Sequence, residues 1–341
     1  MKLEKIQLNE ARSVSLTAYI QETGGEFSNI QRRPALLILP GGGYQFCSRR
    51  EADPVAMPYL AAGYQVFILD YSVKEDAVWP NPLNDYEEAM SLIRKNKDVW
   101  HLYADKVAVI GFSAGGHLAA CAATMSRNRP NAAILGYALM GEDVKGCNPT
   151  APNAIAAVDR KTSPCFLFSS RTDGVVPVKN SILFMEALME SDVAFESHVY
   201  AYGPHGFSTG NSAVDLNAAC SRTKNWVSDS IAWLTDLFGD FCREGGMTPP
   251  ACPPSINGNG RDFLSMDCTF GYVWQNPEGK AVLRDFLTQA QVETPAEMEI
   301  DLSNPPLLFH SLKINDLMEL GKIPPAQSAA LAERLEGIRN L

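Results

Sequence analysis

Ser113 is the residue whose surroundings most clearly suggest chemistry. It stands at the centre of Gly111-Phe112-Ser113-Ala114-Gly115, after the apolar, β-branched run Val107 to Ile110 and before a stretch of small, helix-compatible residues from His117 onward. Strand, tight turn and helix in that order hold a serine in a strained conformation with its Oγ raised above a sheet. The flanking glycines fit this reading, because a Cβ at either place would strike the neighbouring strand or helix. The helix that follows points free N–H groups and a partial positive charge at the same spot.

A serine hydroxyl needs an adjacent base to become a nucleophile, and the chain has five histidines. His101 lies in a helix-to-strand connection beside Trp100. His117 is one turn along the helix from Ser113 and deeper, so its role reads as structural. His198 falls inside a strand, and His310 lies in the C-terminal region. His205 differs from all four. It sits just past a strand in the turn-forming run Gly203-Pro204-His205-Gly206-Phe207 and is the expected base.

The imidazole in turn needs a carboxylate to fix its tautomer and stabilise its charged form. Asp173 follows the apolar strand around Cys165 to Phe168 and is preferred for that role. Glu142 and Asp143 are the main rivals, with a solvated loop as their ordinary reading; Asp70 and Asp85 precede the nucleophile. Donors for a developing oxyanion are also required. The backbone N–H of Ala114 and one from the run Gly41-Gly42-Gly43, after the strand Ala35 to Leu39, are the candidates. No Gly-Lys-Ser/Thr follows that run, which argues against a phosphate cradle. The chemistry calls for neither a metal nor an organic cofactor.

These groups need a sheet to hold them. Strands are expected at 3–8, 15–20, 35–39, 64–70, 107–110, 132–139, 164–169 and 195–201, and helices at 54–62, 82–96, 177–190 and 217–238, besides the one that starts after Ser113. Alternation of this kind implies βαβ units and a mostly parallel sheet with helices on both faces. Functional groups then lie on loops at the carboxyl ends of the strands. Gly41 to Gly43, Ser113, Asp173 and His205 all fall there. The domain reading is 1–240 for the catalytic unit, 241–261 for a Pro/Gly-rich linker, and 262–341 for a small module with helices at 278–290, 311–320 and 325–338.

Composition sets the outer bounds. The 341 residues are 46% hydrophobic and 20% charged, as in an ordinary globular protein, and the net charge of −10 disfavours nucleic acid and anionic lipid as partners. The first residues lack the apolar core of a secretory signal, and no apolar run approaches the roughly 20 residues of a membrane span. Eight cysteines without a Cys-x-x-Cys pair read as reduced thiols, and a cytoplasmic location is expected.

Residues 30–238 resemble the α/β-hydrolase superfamily, in particular the bacterial esterase/lipase group with its acetylxylan-type and feruloyl-type esterases. The resemblance rests on Leu39 to Tyr44, Gly63-Tyr64, Leu69 to Val73, Trp79-Pro80, Gly111 to Ala120, Asp173 with Val176-Pro177, and Gly203 to Phe207. It implies a serine carboxylester hydrolase with Ser113 as nucleophile, His205 as base, Asp173 as orienting acid, and Ala114 with Gly42 or Gly43 as oxyanion donors. Many relatives carry a histidine before the glycine run, where this chain has Pro40. The C-terminal module is similar to small helical appendages of some bacterial carbohydrate-active enzymes, through Cys268 to Gly271 and Asn276 to Lys280.

The segment 141–163 is short for a cap domain, so a shallow site and short acyl groups are expected, acetyl esters of sugars or oligosaccharides above all. A serine peptidase or amidase on the same fold, or a non-catalytic binding protein, are the competing readings. The C-terminal module offers a surface for homo-oligomerisation, for partner docking or for covering the site.

Overall fold

The computed structural model describes residues 1–214, 220–243, 247–252, 255, 257–289 and 307–340. Eight strands are formed: β1 (Lys2–Asn9), β2 (Val14–Ile20), β3 (Arg33–Leu39), β4 (Gln65–Asp70), β5 (Leu102–Phe112), β6 (Ala132–Gly136), β7 (Cys165–Ser170) and β8 (Phe195–Tyr200). They make one sheet in the order β1-β2-β4-β3-β5-β6-β7-β8. β1 and β2 are antiparallel, as are β2 and β4, and every pair from β4 to β8 is parallel. The central strands are continuous apolar runs because both of their faces are covered. One face packs in a cluster that includes Leu37, Val109 and Leu167, and the other in a cluster that includes Ile38, Ile110 and Phe166.

The helices of this unit are α1 (Asp53–Ala61), α2 (Asn81–Lys95), α3 (Ser113–Met125), α4 (Lys179–Glu190) and α5 (Asn225–Phe238). α5 is shorter than the pattern 217–238 predicts. Residues 221–224 form turns, and 215–219 lie outside the described residues. β6 stops at Gly136 rather than at 139, because Tyr137 turns the chain with a φ of 34°. Among the described residues no helix is long and apolar enough to cross a membrane. All eight cysteines are free thiols.

The chain divides into two compact units, Met1–Pro254 and Ser255–Leu341. The stretch 241–261, expected to be a connector, is shared between them. Phe241 is buried against Tyr64, with ring centroids 6.0 Å apart, and Ala251 and Cys252 donate N–H bonds to the Asp236 carbonyl of α5. Asn257 accepts the Thr269 N–H at 2.6 Å and so belongs to the second unit. That unit contains α6 (Phe270–Gln275), α7 (Pro277–Gln289), α8 (Leu307–His310), α9 (Ile314–Leu320) and α10 (Pro325–Glu336) around a small core with Leu264, Leu283, Phe286 and Leu331. The short α6, capped by the Thr269 side chain, has too few turns to show a period in the sequence.

Candidate active site

Ser113 occupies the turn from β5 to α3 with a φ of 53°, a left-handed conformation that L-residues rarely adopt. The turn closes only because its two glycines lack side chains. A Cβ on Gly111 would lie 2.1 Å from the Gly115 carbonyl oxygen, and one on Gly115 would lie 2.2 Å from that of Leu39. α3 is thereby pressed against both its own strand and β3, with Ser113 at the helix N-terminus.

The three parallel strands β5, β7 and β8 carry three functional side chains at their carboxyl ends, and the structure brings these together. The Ser113 hydroxyl donates to His205 Nε2 at 2.8 Å, and His205 Nδ1–H donates to Asp173 Oδ2 at 2.7 Å. Asp173 is fixed by its own loop, since Oδ1 accepts the N–H groups of Val175 at 2.8 Å and Val176 at 2.9 Å. The carboxylate sets the tautomer that leaves Nε2 free to accept. The His205 side chain keeps 18% of its surface exposed, so a substrate can reach the ring.

The rival acids are engaged elsewhere. Asp143 accepts from the Asn180 amide at 2.8 Å, and Glu142 pairs with Lys145 at 2.5 Å. Asp85 is buried against Arg12 at 2.6 Å, and Asp70 pairs with Arg49 at 3.0 Å. His117 is fully buried. It donates from Nε2–H to the Pro152 carbonyl at 2.8 Å and accepts the Tyr44 hydroxyl on Nδ1 at 2.7 Å. Burial pushes its pKa down to about 4, so the ring stays neutral.

The glycine loop follows β3, the sheet neighbour of β5, and Leu39 pairs with Gly111 in register. A Cβ on Gly41 would stand 3.1 Å from Ser113 Cβ, so this loop borders Ser113. The Gly41 N–H is already used, donating to Glu51 Oε2 at 2.8 Å. The N–H groups of Gly42 and Gly43 have no acceptor among the described residues. Ala114, one residue into α3, has an N–H with no acceptor inside its own helix.

Two buried side chains next to this site gave no sequence signal of function. Glu51 accepts the Tyr137 hydroxyl on Oε1 at 2.6 Å, and the Tyr137 ring lies edge-on to His205 with centroids 5.1 Å apart. In the sequence Glu51 ends the charged run Arg49-Arg50-Glu51 and looks like a solvated turn, while Tyr137 looks like part of an apolar strand.

A serine, an imidazole and a carboxylate in line at the strand ends of a doubly covered, mostly parallel sheet define an α/β hydrolase. The comparisons with known proteins agree. A family model described as BD-FAE matches residues 27–144. The solved structure of MGS-M1, an alpha/beta hydrolase enzyme from a Medee basin deep-sea metagenome library, is 42% identical with a TM-score of 0.64, covering 70% of this chain and 98% of that one. Endo-1,4-beta-xylanase B of Butyrivibrio fibrisolvens is 31% identical over 53% of this chain and 33% of its own length. The acetylxylan esterase of Xylanibacter ruminicola is 28% identical over 63% of this chain and 49% of its own. The chain thus spans half or less of the length of these two curated relatives. It belongs to the α/β-hydrolase family.

Proposed function

We propose that this chain is a serine carboxylester hydrolase that works through an acyl-enzyme, with short-chain acyl esters of sugars or oligosaccharides, acetyl esters foremost, as substrates. The observation that carries the reading is the relay Asp173–His205–Ser113, with its 2.7 Å and 2.8 Å hydrogen bonds, at the mouth of the sheet.

Ser113 Oγ attacks the ester carbonyl carbon as His205 Nε2 takes its proton, and Asp173 stabilises the imidazolium. The carbonyl oxygen, now anionic, accepts from the N–H of Ala114 and from that of Gly42 or Gly43. Collapse of the tetrahedral intermediate expels the alcohol, which leaves with the proton from Nε2. Water then attacks the acyl-enzyme, giving up a proton to Nε2, and release of the acid restores the Ser113 hydroxyl.

The relatives, an acetylxylan esterase and a xylanase, support an acylated sugar as the alcohol side. The segment between β6 and β7 carries only two short 3-10 turns, Glu142–Gly146 and Ile155–Ala157, which favours small acyl groups over a lipid tunnel. A panel of aryl and xylo-oligosaccharide esters from acetyl to octanoyl, with a peptide anilide beside it, tests the reading. Acetate esters are expected to give the highest kcat/KM, and a serine-reactive phosphonate is expected to label Ser113. Faster cleavage of the anilide, or an unlabelled Ser113, would overturn it.

A further inference from the structure

Besides Asp85, which is paired with Arg12, the hydrolytic steps leave a second buried carboxylate unused, and this one lies beside the site. Glu51, 4% exposed, sits on the single 3-10 turn Arg49–Glu51 between the glycine loop and α1. Both of its hydrogen bonds come from neutral donors that lead to different parts of the site. Oε2 takes the Gly41 N–H at 2.8 Å, at the root of the loop that borders Ser113. Oε1 takes the Tyr137 hydroxyl at 2.6 Å, and the Tyr137 oxygen accepts the N–H of Ser208, three residues beyond His205, at 3.1 Å. Ser208 donates its hydroxyl to the carbonyl of Arg50 at 2.5 Å, which closes the circuit next to Glu51. Tyr137 and Ser208 are held at φ values of 34° and 48°, conformations that persist only where surrounding contacts enforce them.

Given the acyl-transfer chemistry proposed above, we propose that Glu51 is a positioning residue whose one carboxylate locks the glycine loop to the histidine loop, through Gly41 on one side and through Tyr137 and Ser208 on the other. The oxyanion donors and the imidazole act on the same reacting centre, so they are useful only in fixed register with each other. A displacement of about 1 Å between such groups costs about 100-fold in rate. The charged groups that face Glu51 are His205, on the loop after β8, and Arg50, its own neighbour, beside the Tyr137 phenol. Burial pushes the Glu51 carboxyl up from its ordinary range, while its two hydrogen bonds and these two charges hold it down. When ionised, the Glu51 carboxylate also favours the imidazolium that His205 becomes in each step.

The test uses the full chain with an aryl acetate, and active serines are counted by phosphonate titration, so that kcat is read per reactive site. Glu51→Gln keeps the shape but turns an NH2 toward a donor and removes the charge. It is expected to lower kcat per site about 100-fold with KM little changed, and to move the acid limb of kcat/KM to lower pH. Glu51→Asp, which keeps the charge, is expected to restore that limb even if kcat stays low. Tyr137→Phe cuts one arm and is expected to cost less, and the Glu51→Gln/Tyr137→Phe pair no more than Glu51→Gln alone.

Wild-type kcat per site and an unmoved acid limb in Glu51→Gln would overturn the proposal, even with a lowered Tm. If Glu51→Gln does not fold, Tyr137→Phe decides in the same way, since wild-type kcat per site there is equally fatal. A wild-type chain that labels and hydrolyses normally beside an unaffected Glu51→Gln removes the Glu51 role alone. A wild-type chain that neither labels nor hydrolyses removes the acyl-transfer reading and this role with it.

Discussion

His117 and His205 are the same ring in two regions of one unit. Each has both nitrogens hydrogen-bonded at nearly equal distances. His117 lies on α3 under the elbow, without exposed surface, between a phenol and a backbone carbonyl. Both partners are neutral, and burial keeps the ring uncharged. His205 lies in the loop after β8, partly exposed, between a carboxylate and a serine hydroxyl. In the proposed mechanism the carboxylate favours the proton that the ring takes from the hydroxyl. Nearness in sequence to Ser113 belongs to His117, yet the means to carry a proton belong to His205. In the proposed mechanism, what makes one histidine a base and not the other is the group on its far nitrogen.

The largest expected effect falls on the His205 side of this contrast. Ser113→Ala and His205→Gln are each expected to lower kcat for an aryl acetate by about a million-fold, with unchanged circular dichroism. Asp173→Asn keeps the shape but loses the charge that sets the His205 tautomer, and about a 10,000-fold loss is expected. On the other side, His117→Asn is expected to hold kcat per folded molecule within about tenfold, since His117 has no exposed surface and hydrogen-bonds Tyr44 and the Pro152 carbonyl rather than Ser113. A nearly inactive His117→Asn beside an active His205→Gln would invert the two assignments.

Much of this contrast is legible in the sequence, for a physical reason. A strand covered on both faces must be apolar throughout, so Ala35 to Leu39 and Val107 to Ile110 announce themselves, and the loops after them follow. A tight turn at a serine needs glycines around it, so Gly111 and Gly115 mark Ser113 as the candidate nucleophile. Burial patterns say nothing, however, about which polar atoms meet across the fold. Glu51 and Tyr137 are 86 residues apart in sequence, and Tyr44 and His117 are 73 apart. Neither pair leaves a spacing to recognise. The end of β6 is hidden for a similar reason, because Tyr137 to Met140 stay apolar after the strand has turned away. Phe241 likewise stands in a Gly- and Pro-rich stretch, and its packing with Tyr64 and other residues from distant parts of the chain makes it a core residue.

The neutral state of His117 has a consequence that His205 substitutions should not share. With a pKa of about 4 in the folded protein against about 6.5 for an ordinary imidazole, the unfolded chain alone binds the proton between these values. Unfolding free energy is therefore complete above about pH 6.5 and falls as the pH drops toward 4, by about 3 kcal/mol for this group. Urea unfolding at a series of pH values reads it. Carboxylates titrate over the same range, so the difference between wild type and His117→Asn isolates the histidine. The variant is expected to start less stable at pH 7 and to lose less on acidification. Parallel curves for the two proteins would remove this account of His117.

The mildest change to the same pocket is Tyr44→Phe, which takes away the hydroxyl that donates to His117 Nδ1 and leaves every other atom in place. A buried acceptor without its donor costs about 1–2 kcal/mol, and stability is expected to fall by that amount at pH 7. The acid dependence should persist, because burial of the ring is its largest cause and the phenyl ring still fills the space. Activity per folded chain should also persist, although Tyr44 directly follows the glycine loop, because its ring packs toward His117 and Tyr71. Unfolding at pH 7 and pH 5 checks the first two points, and a phosphonate-titrated rate checks the third. A tenfold or greater loss of kcat in this variant would tie the His117 pocket to the chemistry and erase the division between the two histidines.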